Sequence, residues 1–189
     1  MKTVLPFDQN RVKLKNPIDG YDYINASLIS QPASEDKTYD EIIYSDILSC
    51  KKIRMIVGQD PLPHTLPHHW ALIYENEVDC IVNFTTKSLK MGKVHRFGSI
   101  SVRVLNHKKM CETLYRTEIS LFNMSAPGAK HEHRSRIFQV IGWPDDETLG
   151  ADQVQGIVKA LALMRNEMRV EMGSAKMMVH DRQRAIGPG

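Results

Sequence analysis

Four strand-like segments in succession, followed by a long amphipathic helix and one more short apolar run, restrict this chain more than any other feature. Val78–Thr85 is nearly all apolar and reads as a buried strand, and Ser99–Leu105 alternates apolar and polar residues as a half-buried strand does. Leu114–Phe122 is similar, and Arg136–Ile141 supplies another. Over Ala151–Met172 the period lengthens to that of a helix, with Val154, Ile157, Val158, Leu161 and Met168 tracing an apolar face and Gly173 placed to end it. Met177–Val179 is then a short strand. A run of strands must pair into a sheet, and the helices must cover its faces. The expected class is therefore α/β (α+β), a mixed twisted sheet flanked by helices.

The first half is consistent with this. Asp22–Ile29 reads as a strand after a turn at Gly20, and Arg54–Val57 as a short one. Ser30–Lys52 is polar and acidic at first, then carries Ile42-Ile43 and Ile47-Leu48 at helix-compatible spacing. Pro61, Pro63 and Pro67 predict an extended loop, since each fixes φ and disfavours helix in the residue before it. His68–Glu77 reads as a helix with Trp70, Ile73 and Tyr74 on one side. No repeat or linker divides the chain, so residues 1–189 are expected to form a single domain.

Composition excludes several classes. A net charge of +3 over 189 residues gives no case for nucleic acid, which calls for a concentrated basic face. Runs such as Val78–Phe84 are too short to span a bilayer, and Pro6, Asp8 and Arg11 interrupt the apolar stretch that a leader would need. Cys50, Cys80 and Cys111 are odd in number and unclustered, which suits a reducing compartment better than a disulfide framework or a metal site. Cys80 is expected to be inert core. The cytoplasm is the expected location.

Four segments, in order, carry a pattern: Leu5-Pro-Phe-Asp-Gln-Asn-Arg-Val-Lys-Leu14 with Asp22-Tyr-Ile-Asn-Ala-Ser27, then Gln59-Asp-Pro-Leu-Pro63 with Trp70, then Gly142-Trp-Pro-Asp145, then Val179-His180. Together they resemble the tyrosine-specific protein phosphatase family. The resemblance covers nearly the whole chain and corresponds to the middle two-thirds of a family domain, incomplete at both ends. The tyrosine that recognises phosphotyrosine would lie upstream of Leu5, and the segment that positions the hydrolytic water downstream of Gly189.

The chemistry of that family needs a cradle of backbone N–H groups for a phosphate dianion, a thiolate nucleophile held in the same positive field, an arginine fork on the phosphate oxygens and a mobile acid for the leaving group. By resemblance, Asp145 stands at the general-acid position, with Trp143 and Pro144 at the hinge of its loop. The plainer alternative makes the same tripeptide a packing turn with Trp143 in the core. Gln59 and His180, together with Trp143 and Pro144, are carried over as substrate-binding positions. Asp181, however, replaces the nucleophilic cysteine, and Gly187, or Pro188 after a one-residue shift, stands where the arginine belongs. Arg182 and Arg184 come too early to close the loop. Asp60 replaces an expected glycine, and Met91–Phe97 fills the place of a basic loop whose aromatic motif is not kept.

The resemblance therefore implies an inactive pseudophosphatase that binds a phosphotyrosine protein or another signalling protein, with no cofactor and no metal. The alternative is a fragment or variant of an active phosphatase working through a cysteinyl-phosphate intermediate. His64, His68 and His69 invite a metal reading, but Pro67 lies between them and no carboxylate or cysteine joins them, so a surface loop is expected. His131, Glu132 and His133, with Arg134 and Arg136, read as a solvated charged hairpin. Tyr39 and Tyr44, flanked by acidic residues, resemble kinase substrates, with a surface insertion as the plainer reading.

Overall fold

The computed structural model describes residues 6–30, 54–84, 89–125, 131–142, 150–171 and 176–181. Strand β1 (Arg11–Ile18) and β2 (Tyr21–Ser30) form an antiparallel hairpin in which Ile18 pairs with Tyr21. The two residues between them, Asp19 and Gly20, both have positive φ, at 50° and 81°. A two-residue Asp-Gly turn of this kind matches the twist of the flanking strands. Pro17 is tolerated because β1 is a sheet edge, where a missing N–H costs little.

The remaining strands are β3 (Arg54–Gln59), β4 (Cys80–Asn83), β5 (Val94–Phe97), β6 (Ile100–Cys111), β7 (Leu114–Asn123), β8 (Glu132–Val140) and β9 (Lys176–Asp181). They form one nine-stranded sheet in the order β1-β2-β3-β9-β4-β8-β7-β6-β5. The centre is parallel, β3 with β9, β9 with β4 and β4 with β8, and both flanks are antiparallel. The sheet is mixed, as expected.

Parallel strands are buried on both faces, which is why β4 reads as a continuous apolar run. Successive residues of that strand point to opposite layers. Ile81 joins one core with Leu72, Ile73, Ile100, Val102, Ile119, Leu121 and Met178. Cys80 and Val82 join the other, with Leu114, Phe138, Val140, Ala160 and Met177. Helix α1 (Leu66–Glu75) supplies the first layer with Trp70 to Ile73, and helix α2 (Ala151–Glu171) covers the second.

Three local expectations are corrected. The prolines do not keep residues 61–67 extended. Pro63–Thr65 is a 3-10 turn and α1 begins at Leu66, because proline in a first helical turn gives up an N–H that has no partner there anyway. Residues 94–97 form the edge strand β5 rather than a loop. The apolar face assigned to α2 is also rotated. Ile157 and Ala160 face the sheet, while Val154, Val158 and Leu161 are 43%, 59% and 43% exposed. Small residues explain the rotation. Gly156 lies against Thr113, whose hydroxyl donates to the Gly156 carbonyl at 3.1 Å, and a Cβ there would sit 3.3 Å from the Thr113 methyl. The side chain of Met168 lies outside the described residues. An ion pair of Arg116 with Glu167 and Glu118 ties α2 to β7.

Candidate functional site

In open sheets with parallel strands, ligands sit beyond the carboxyl ends of those strands. Here the four central strands end together. Gln59 pairs with Asp181, Gly58 and Asn83 flank His180, and Asn83 pairs with Gln139. Gly58 permits this, since a Cβ there would lie 3.2 Å from Ala26 Cβ and 3.3 Å from the Asn25 carbonyl. The Asn25 amide donates to Gln59 Oε1 at 2.9 Å, which fixes the Gln59 side chain from β2.

Directly beyond Gln59 lies Asp60, buried, with Oδ1 at 3.3 Å from His180 Nδ1. That is an ion-pair distance whose alignment falls short of a hydrogen bond for the imidazole nitrogen. His180 is held from the other side by His69 of α1, the two rings meeting edge-on with centroids 5.0 Å apart. Burial, and then the neighbouring His180, push the His69 imidazole down to about 3, while Asp60 opposes the shift. His69 is therefore neutral at physiological pH.

A cavity of about 300 Å3 opens beside this cluster, with Asp60, His69, Asn83, Thr117, Gln139 and His180 as its polar groups and Trp70 in its apolar wall. Trp70 stacks on Phe97 at 5.4 Å, and its buried indole N–H has no acceptor among the described residues. The second cavity, about 210 Å3, shares Asp60 and His69 and extends to Gln59 and Tyr23.

The structure thus brings Gln59 and His180 together on neighbouring strands. Asp181 is placed by its backbone at the end of β9, with its side chain outside the described residues. Trp143, Pro144 and Asp145 also lie outside them, as do Tyr39, Tyr44, Arg182, Arg184, Gly187 and Pro188. The surface loop expected for the histidines is corrected, since His68 and His69 lie on α1 and His69 is 4% exposed. A signal for this was available. Leu66, His69, Trp70 and Ile73 fall at i, i+3, i+4 and i+7, the spacing of one helix face. Asn83 and Gln139 were missed because strand polarity alone does not reveal which residues end a strand. Among the described residues, no group of three His, Cys, Asp or Glu side chains is arranged to hold a metal.

The family model described as protein-tyrosine phosphatase matches residues 1–183. The chain belongs to the protein-tyrosine phosphatase family. It is 28% identical over 156 residues to tyrosine-protein phosphatase 1 of Caenorhabditis elegans, covering 76% of this chain and 13% of that protein. To the human tyrosine-protein phosphatase non-receptor type 7 it is 29% identical over 160 residues, 78% of this chain and 38% of the relative. To the human non-receptor type 4 enzyme it is 31% identical over 156 residues, 76% of this chain and 15% of the relative. The chain thus spans a minor part of each. The family match stops two residues after Asp181, the last residue of β9. No described helix is long and apolar enough to cross a membrane.

Proposed function

We propose that this phosphatase-like domain does not hydrolyse phosphotyrosine and serves as a binding module for a phosphotyrosine-bearing or other signalling protein. The observation that carries the reading is the carboxylate residue at position 181, in register with Gln59, where the family chemistry needs a thiolate. A second carboxylate, Asp60, lies one residue beyond that register partner and is paired with His180. Two carboxylates, that of Asp60 and the one carried at position 181, disfavour a phosphate dianion, by several kcal/mol where water is excluded. Gly187 or Pro188 supplies no guanidinium to offset them. The free thiols of Cys80 and Cys111 agree with a reducing, cytoplasmic setting.

The test is turnover of p-nitrophenyl phosphate by the full 189-residue chain. Release of nitrophenolate at the rate of the buffer blank is expected, and the Asp181→Cys variant should remain inactive because the phosphate clamp is still missing. The intact Trp143-Pro-Asp145 tripeptide favours a second reading, a variant or fragment of an active phosphatase acting through a cysteinyl-phosphate. Turnover that disappears in Asp145→Asn would establish that second reading and sink the first.

A further inference from the structure

Far from the carboxyl ends of the central strands, the opposite margin of the sheet carries a second feature. Strand β5 is an edge, with no strand on its outer side among the described residues. Val94 pairs with Arg103 and Arg96 with Ser101, so these four side chains share one face. On that face Ser101 is next to Phe122 of β7. With Met124 they line a hollow of about 300 Å3 that contains two guanidinium groups and no carboxylate. Arg96 and Arg103 lie on a cross-strand diagonal, within mutual reach of two long side chains, so each raises the local positive potential of the other.

Neither is neutralised by a dedicated partner. Arg96 makes no ion pair among the described residues. The nearest acid in the register, Glu132, already accepts Ser120 Oγ at 2.7 Å and Arg134 Nε at 3.1 Å, and it feels Arg103 only at longer range. Val94 and Met124 are 51% and 55% exposed and form an apolar floor for aliphatic stems. The other face of β5 carries His95 and Phe97, stacked at 6.3 Å.

From this arrangement we propose that β5 is a docking edge for an extended acidic peptide segment of a partner protein. The segment adds a strand to the sheet, with glutamate or aspartate at alternate positions. Period-two spacing turns those carboxylates to the face of Arg96 and Arg103, where a guanidinium binds a carboxylate in a fork. The intervening aliphatic residues fall on the face of His95 and Phe97. The proposal is independent of whether the site at β9 turns over phosphate, because it shares no residue with it.

The experiment uses the full chain and a fluorescein-labelled heptapeptide alternating glutamate and valine, followed by anisotropy at low salt. Binding is expected. It should weaken by about tenfold or more in the Arg96→Glu/Arg103→Glu double variant and in near-molar sodium chloride. The glutamine-for-glutamate peptide should not bind. Both arginines are exposed, so unchanged thermal melting of the variant will show that the fold is kept. Hydrogen exchange should slow at residues 94–97 in the complex. Three results overturn the proposal: no binding at low salt, equal binding by the double variant, or protection at residues 59–60 and 180 instead of 94–97. The first would mean that the arginines serve only to keep an open edge from aggregating.

Discussion

Replacing His69 by phenylalanine should flatten the acid limb of this protein's stability. The imidazole is buried at 4% exposure, and its folded value of about 3 lies well below the ordinary 6.5. Between those two values the unfolded chain binds a proton that the folded chain refuses, so stability falls as pH falls through that window. Lowering the pH from about 7 to about 5 protonates the unfolded imidazole almost fully and the folded one hardly at all. The linkage then removes about 2 kcal/mol at that site. A phenyl ring keeps the edge-on packing against Trp70 and His180 while carrying no proton. Urea unfolding of both proteins at about pH 7 and about pH 5 provides the measurement. The wild type should lose about 2 kcal/mol more than His69→Phe across the interval. Equal losses would show that His69 protonates in the folded state without penalty, and the assignment of a neutral buried imidazole would be wrong.

Two further outcomes follow from the packing. Gly58→Ala should cost about 1–3 kcal/mol in urea unfolding, because the new methyl meets Ala26, the Asn25 carbonyl and Met178 at 3.2–3.3 Å; an unchanged midpoint would show that β2 can give way. Cys80, whose thiol burial pushes up to about 12, should resist an aromatic disulfide reagent at neutral pH until the chain is unfolded, while the half-exposed Cys111 reacts; labelling both at one rate in the native protein would contradict the buried placement.

Much of the architecture was legible in the residues. The strand at Leu114 and the helix at Ala151 were placed to within a residue or so, because long periodic segments signal their type clearly. Strand β1 was not, since Asn16, Pro17 and an edge position dilute its alternation to Val12 and Leu14. Strand β5 was missed because four residues are too few to show a period. At the candidate site, Gln59 and His180 were visible only through family resemblance. Their adjacency is a property of the parallel pairing of β3 with β9, two segments more than a hundred residues apart in the chain. Asp60 stands in the sequence only as a departure from a glycine, and its burial beside His180 depends on tertiary placement that no local pattern encodes.

That same pairing governs the order in which the fold can close. Among the described strands β9 comes last in chain order, yet it sits between β3 and β4, both of which leave the ribosome earlier. Until Lys176–Asp181 emerges, the hairpin half β1–β3 and the meander half β4–β8 share no strand pairing among the described residues, and each shows a bare backbone edge toward the other. This six-residue strand is the keystone that joins them. Biosynthesis therefore carries two half-sheets until β9 is made, held apart by a slot that a chaperone or a wrong strand could fill first.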